Sequence, residues 1–141
     1  MNKVLIVDDE VPIQILYTDE LTEEGYEVIT TGDGGGLLGL IEEARPDIVV
    51  LDIRLGAFNG LDLLQDIRNT YYELPVILCS AYSAFKYDLK SIAADYFMIK
   101  SSDLSELKDK IKMALESRNQ FSVGPMVKDA QQIANHLENT F

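Results

Sequence analysis

Apolar residues recur along the chain in two alternating rhythms. Five short runs, Val4 to Val7, Tyr26 to Thr30, Ile48 to Leu51, Val76 to Cys79 and Tyr96 to Ile99, are rich in Val, Ile or aromatic residues and have the length of strands. Between them, apolar positions follow helical spacing: Ile13, Leu16, Tyr17 and Leu21; then Leu37, Leu40 and Ile41; then Leu61, Leu64 and Ile67. Leu104, Leu107, Ile111 and Leu115 continue the series after the fifth run. The runs at 4, 48 and 76 are apolar at consecutive positions, the pattern of strands covered on both faces. Gly25 closes the first helix, Pro46 stops the second and Pro75 precedes the fourth strand. Strand and helix alternate five times, which predicts an α/β fold: a doubly wound, five-stranded parallel sheet with helices on both faces and right-handed crossovers. In such a sheet functional groups gather at the carboxyl ends of the strands, near the point where the strand order reverses.

Residues 1–118 are read as one domain and 119–141 as a linker followed by an amphipathic C-terminal helix. Asn119 to Pro125 is polar and contains Gly and Pro, and beyond it Met126, Ala130, Ile133 and Leu137 share one helical face. That helix is read as docking on its own domain or fraying. A homodimer or partner contact, or a stub leading to a further domain, are the other readings.

Charge narrows the function classes. Twenty-four Asp and Glu against twelve Lys and Arg give a formal net charge of −12, with no basic block, so nucleic-acid binding by this chain is not expected. The single cysteine, Cys79, excludes an intramolecular disulfide framework and a multi-cysteine metal cluster. Met1-Asn2-Lys3 leads straight into the first strand without the pattern of a signal peptide, and the apolar runs are too short to span a bilayer. The expectation is a cytoplasmic protein with no membrane contact.

The residues closing the predicted strands carry the chemistry: Asp8, Asp9 and Glu10 after the first, Asp52 at the third, Ser80 at the fourth and Lys100 at the fifth. Taken singly, Asp8 and Asp9 could cap a helix, Ser80 could serve a turn and Lys100 could be a solvated strand end. Together they fall side by side on one rim. Carboxylates gathered there repel one another unless a cation sits among them, and a hard divalent ion with oxygen ligands, Mg²⁺ or Mn²⁺, is the natural partner. Such a site invites phosphoryl chemistry.

With these residues in view, the sequence resembles the receiver domain of two-component response regulators over residues 2 to 117. The resemblance rests on Val4-Leu5-Ile6-Val7-Asp8-Asp9-Glu10, Pro46-Asp47-Ile48-Val49-Val50-Leu51-Asp52, Ser80-Ala81 and Lys100. It implies a flavodoxin-like sheet of strand order 2-1-3-4-5, here with an extra C-terminal helix. It also implies that Asp52 is the phosphoacceptor, attacking a phosphohistidine on a histidine kinase or a histidine phosphotransfer protein. Asp9, Asp52 and the Arg54 carbonyl would bind Mg²⁺ directly, with Asp8 acting through water. Lys100 would neutralise the phosphoryl group and Ser80 would donate to it. Ser80 and Phe97 would form the switch that changes binding to an output protein, and Arg54 and Tyr82 would set the lifetime of the phosphoryl group. Beyond slow loss of its own phosphoryl group, no enzymatic activity is expected.

The sequence departs from the pattern in places. Ser101 and Ser102 follow Lys100 where the family usually has Pro, so a cis bond there would lack its proline. Gly56 stands where Pro is common, which suggests a looser loop before Asn59-Gly60, and the stretch from Ser80 to Lys100 is short. An alternative from the binding class follows: a receiver fold acting as a phosphate-independent interaction module. Two further readings fit poorly. Gly34, Gly36 and Gly39 match G-x-G-x-x-G, but after the second strand rather than the first and with no acid at a strand end about twenty residues on, so a turn opening the second helix explains them better. A phosphohydrolase of the haloacid-dehalogenase type would want an acid two residues past Asp52, where Arg54 stands. Cys79 is expected to be a small buried apolar residue, and Tyr71 and Tyr72 to cover the sheet edge or its loop.

Overall fold

A computed structural model of the chain describes residues 1–81 and 93–122, with side chains as far as Ser117. Its strands and helices are β1 (Lys3–Val7), α1 (Val11–Glu23), β2 (Glu27–Thr31), α2 (Leu37–Ala44), β3 (Ile48–Asp52), β4 (Arg54–Leu55), β5 (Phe58–Asn59), α3 (Gly60–Thr70), β6 (Val76–Ser80), β7 (Tyr96–Ile99) and α4 (Ser105–Ser122). Five strands form one sheet in the order β2-β1-β3-β6-β7, every pairing parallel. Counting those five alone, this is the predicted order 2-1-3-4-5, with the reversal lying between β1 and β3.

The consecutive apolar runs are buried on both faces, as their pattern demands. Leu5, Val7, Val49, Leu51, Val76 and Leu78 face a layer that holds Leu37, Ile41, Leu64 and Ile67 of α2 and α3. Their neighbours Val4, Ile6, Val50, Ile77 and Cys79 face Tyr17, Leu21, Leu107 and Ile111 of α1 and α4. Turn chemistry sets the helix ends. Gly25, at φ +95°, lets the chain reverse after α1, and Arg45 ends α2 in the left-handed region at φ 53°. Asn59 caps α3 by accepting from the Leu61 amide at 2.8 Å.

Several expectations need correction. The stretch after Asp52 is a two-stranded antiparallel hairpin, β4–β5, and not a loose loop. Gly56 at φ +59° opens its two-residue turn, the conformation for which glycine is favoured in such turns. Tyr71 does pack against the core and its hydroxyl donates to Glu42 at 2.6 Å, but Tyr72 is 70% exposed and covers nothing. The last helix, α4, runs to Ser122. No peptide bond among the described residues is cis. The short stretch after Ala81, including Tyr82, and the C-terminal stretch with Met126, Ala130, Ile133 and Leu137 lie outside the described residues. Among the described residues no helix is long and apolar enough to cross a membrane.

Candidate phosphoacceptor and metal site

Parallel strands that begin at one edge of the sheet end together at the other, so Asp8, Asp52, Ser80 and Lys100 converge on one rim although they are up to 92 residues apart in sequence. Asp52, Ser80 and Lys100 line a pocket of about 380 Å³ together with Asp9, Glu10, Arg54, Gly56 and Ala81, and Asp8 joins the group through its ion pair with Lys100. Asp8, Asp52 and Ser80 are the only buried polar side chains among the described residues. Buried charge is costly unless paired, and here the pairing is direct. The Lys100 ammonium lies 2.7 Å from Asp8 Oδ2 and 2.9 Å from Asp52 Oδ2.

Backbone contacts fix the frame. Asp8 Oδ1 accepts from the Glu10 amide at 2.9 Å and Asp52 Oδ1 from the Arg54 amide at 3.3 Å. The Lys100 amide donates to the Ser80 carbonyl at 2.8 Å, and Gln14 Nε2 donates to the Asp8 carbonyl at 2.6 Å. Asp9, by contrast, is exposed and holds the hairpin: its Oδ2 accepts from the Gly56 amide at 2.9 Å. On the other side Gly60 presses so close beneath Asp52 that a Cβ there would fall on the Asp52 carbonyl oxygen.

Burial pushes the Asp52 carboxyl above the ordinary carboxylate value and the charge of Asp8 adds to that, while the Lys100 ammonium and the Arg54 amide pull the other way. Burial also opposes the charge on Lys100, but its bonds to Asp8 and Asp52 more than offset this and hold it above the ordinary lysine value. Lys100 is therefore a fixed cation. Three carboxylates offer oxygens all within 4.8 Å of one another. Against them stands one ammonium, which leaves two negative charges on an oxygen-only donor set, the combination that suits Mg²⁺ or Mn²⁺.

Most residues singled out from the sequence thus meet here: Asp8, Asp9, Asp52, Arg54, Ser80 and Lys100. Phe97 does not line the pocket; it lies half-buried against the α2–α3 layer. Sequence reasoning missed the hairpin and the hold of Asp9 upon it. The Gly56-Ala57 pair was the available signal, since glycine opening a two-residue connection favours a tight hairpin.

Comparison with known proteins agrees with this geometry. The family model described as response regulator receiver domain matches residues 4–112. Among solved structures, the response regulator TrrA of Thermotoga maritima in complex with Mg²⁺ and BeF is 39% identical, covering 81% of this chain and 99% of that one, with a TM-score of 0.78. The same protein in complex with the histidine kinase ThkA matches at 39% identity over 82% of this chain and 99% of that chain, TM-score 0.77. A CheY-like receiver domain protein of Methanospirillum hungatei is 27% identical over 85% of this chain and 98% of its own length, TM-score 0.80.

Proposed function

The chain belongs to the response regulator receiver family, and from that premise and the rim geometry we propose that Asp52 accepts a phosphoryl group in a Mg²⁺-dependent reaction. The observation that carries this reading is the position of the Lys100 ammonium between the carboxylates of Asp8 and Asp52, with the open side of the pocket facing solvent. A carboxylate oxygen of Asp52 attacks phosphorus of a phosphohistidine, the P–N bond breaks, and the histidine nitrogen leaves with the bonding pair. Lys100 neutralises charge on the phosphoryl oxygens, and the Ser80 hydroxyl donates to one of them. Asp9, Asp52 and the Arg54 carbonyl would hold the metal, with Asp8 acting through water. Mg²⁺, when bound, supplies the positive charge that the transferred group requires.

The phosphodonor is a histidine kinase or phosphotransfer protein, as the complex of TrrA with ThkA supports by likeness. It would meet this chain on the start of α1, where Val11 and Ile15 are 59% and 58% exposed beside the rim. Output would pass through Ser80 and Phe97 to the face of β7 and α4, where Ile99 and Met113 are exposed, and on to a partner protein or a second copy of the chain. Arg54 beside the pocket and Tyr82 would set how long the phosphoryl group lasts. A cytoplasmic setting belongs to the same proposal, and the free thiol of Cys79 is in keeping with it.

The test is intact mass after incubation with acetyl phosphate and Mg²⁺, for the native chain, for Asp52→Ala, and in EDTA. A single phosphoryl adduct that needs both Asp52 and the metal is expected. Its absence under conditions that label another receiver would leave the phosphate-independent interaction module as the better reading.

A further inference from the structure

We propose that Gln14 is a positioning residue for the metal site, a role that rests on the phosphoacceptor reading above: it holds the backbone at Asp8 and so sets where the carboxylates of Asp8 and Asp9 stand relative to Asp52. The reason lies where the sheet stops. Val7 pairs with Thr31, and the Asp8 amide extends that ladder by donating to the Thr31 carbonyl at 3.0 Å. In a parallel ladder the next bond would run from the Asp33 amide to the Asp8 carbonyl. β2 ends at Thr31, however, and the Asp33 amide turns to the Thr31 hydroxyl at 3.2 Å. The carbonyl of a residue only 2% exposed then needs another donor. Gln14 supplies it from the first turn of α1, with Nε2 at 2.6 Å.

Gly32 makes room for this arrangement. A Cβ there would stand 3.2 Å from Asp9 Cα and 3.5 Å from both the Asp8 carbonyl oxygen and Gln14 Nε2. A residue without a side chain lets the β2–α2 connection lie this close to the acids without moving them. The same connection supports the far side of Asp9. Phe58 of the hairpin rests on it: a Cβ on Gly34 would come within 2.8 Å of the ring, and one on Gly35 within 3.2 Å. The hairpin so seated presents the Gly56 amide to Asp9 Oδ2. Gln14 and Gly32 thus grip the acids from the backbone side and the hairpin grips them from the carboxylate side. These close approaches give Gly32, Gly34 and Gly35 a reason that the phosphoryl chemistry alone does not.

Mg²⁺ tolerates little departure from octahedral geometry, so a small displacement of the acids weakens its binding. Groups that orient metal ligands without touching the ion change affinity by about 10- to 100-fold when removed. Gln14 is placed to act in this way, because its side-chain amide donates to the rim and not to the core.

The test is a Mg²⁺ titration of the ¹⁵N-labelled full chain, followed at the Asp9, Glu10 and Gly56 amides, together with the Mg²⁺ dependence of phosphoryl uptake from acetyl phosphate. Gln14→Met keeps the length of the side chain and removes its donor. It should bind Mg²⁺ about tenfold more weakly and need about tenfold more Mg²⁺ for half-maximal uptake, with the rate at saturating Mg²⁺ within about twofold of native. Gly32→Ala, which crowds the Asp9 backbone instead, should weaken Mg²⁺ binding in the same direction. Ile67→Val trims the core beneath α3 and should lower stability while leaving Mg²⁺ affinity unchanged. Native Mg²⁺ affinity in Gln14→Met, or an equal loss in Ile67→Val, would overturn the role of Gln14 while the native chain still bound the ion. A native chain that bound no Mg²⁺ would overturn the phosphoacceptor reading and this role with it.

Discussion

Asp9 Oδ2 accepts a hydrogen bond from the Gly56 amide at 2.9 Å, tying the exposed acid of the rim to the turn of a hairpin 47 residues further on. The same carboxylate is thus both a candidate metal ligand and the anchor of β4–β5. The two roles are separable, because asparagine keeps an acceptor oxygen but loses the charge. Asp9→Asn should retain slow exchange at the Gly56 amide yet bind Mg²⁺ at least about tenfold more weakly, whereas Asp9→Ala should lose both. Amide exchange and a Mg²⁺ titration followed by NMR would read the two effects side by side. Native-like Mg²⁺ affinity in Asp9→Asn, with loss only in Asp9→Ala, would show that the hydrogen bond, and not the charge, is what the site requires.

Lys100 holds two buried carboxylates together. Lys100→Met would leave Asp8 and Asp52 facing each other without a cation and should cost about 3 kcal/mol in urea unfolding. Added Mg²⁺ should restore more stability to the variant than to the native chain, since the divalent ion supplies the missing charge. Asp52→Asn should behave in the opposite sense. Burial raises the folded pKa of this acid above its ordinary 3.8, so the folded state binds its proton more tightly than the unfolded chain does. Its ionisation therefore favours unfolding as pH rises above that value. The variant should be more stable than the native chain at neutral pH and should lose that advantage as pH falls below about 4.

Gly60 is required by space. Any Cβ there would strike the Asp52 carbonyl oxygen and the Ile53 Cα, and the Gly60 amide already donates to the Ile53 carbonyl at 2.6 Å. Gly60→Ala should destabilise the chain by about 3 kcal/mol and slow phosphoryl uptake, because the backbone that must yield is that of the phosphoacceptor. Gly39→Ala, whose methyl meets nothing among the described residues, is the matched control and should be neutral or stabilising in the same urea experiment.

Alkaline pH should unfold the chain from within. Burial pushes the Cys79 thiol from 9.0 up to about 12 and the Tyr17 phenol from 10.0 up to about 12. In that window the unfolded chain releases protons that the folded chain keeps, so stability falls as pH rises from about 9 to about 12. Each group contributes a slope of about 1.4 kcal/mol per pH unit while between its two values. Cys79→Ala should flatten the curve between pH 9 and 10, where the thiol acts alone. The native thiol should also stay unreactive toward Ellman's reagent at pH 8 until the protein is denatured.

The extent of the fold that could be read from the sequence follows from periodicity. Val4 to Val7, Ile48 to Leu51 and Val76 to Cys79 are apolar at every position, and only a strand buried on both faces asks for that, so sheet, layers and rim were legible before any coordinates. Parallel strands put their ends together, which is why Asp8, Asp52, Ser80 and Lys100 could be assigned to one site. The hairpin was not legible in the same way. Arg54-Leu55 and Phe58-Asn59 are two residues each, too short to carry a period, and their pairing is favoured by the hydrogen bond from the Gly56 amide to Asp9. Nor could spacing tell Tyr71 from Tyr72: one packs against the core and bonds Glu42, while the other faces solvent, a difference set by where α3 ends. Glycine carries the same division. The sequence by itself determined that residues 34–39 are backbone-rich, because a missing side chain is a local fact. That Phe58 lies on Gly34, that Gly32 lies against Asp9 and that Lys100 chooses Asp8 as well as Asp52 were decided only by tertiary structure, since each depends on distances between residues that the chain brings together from far apart.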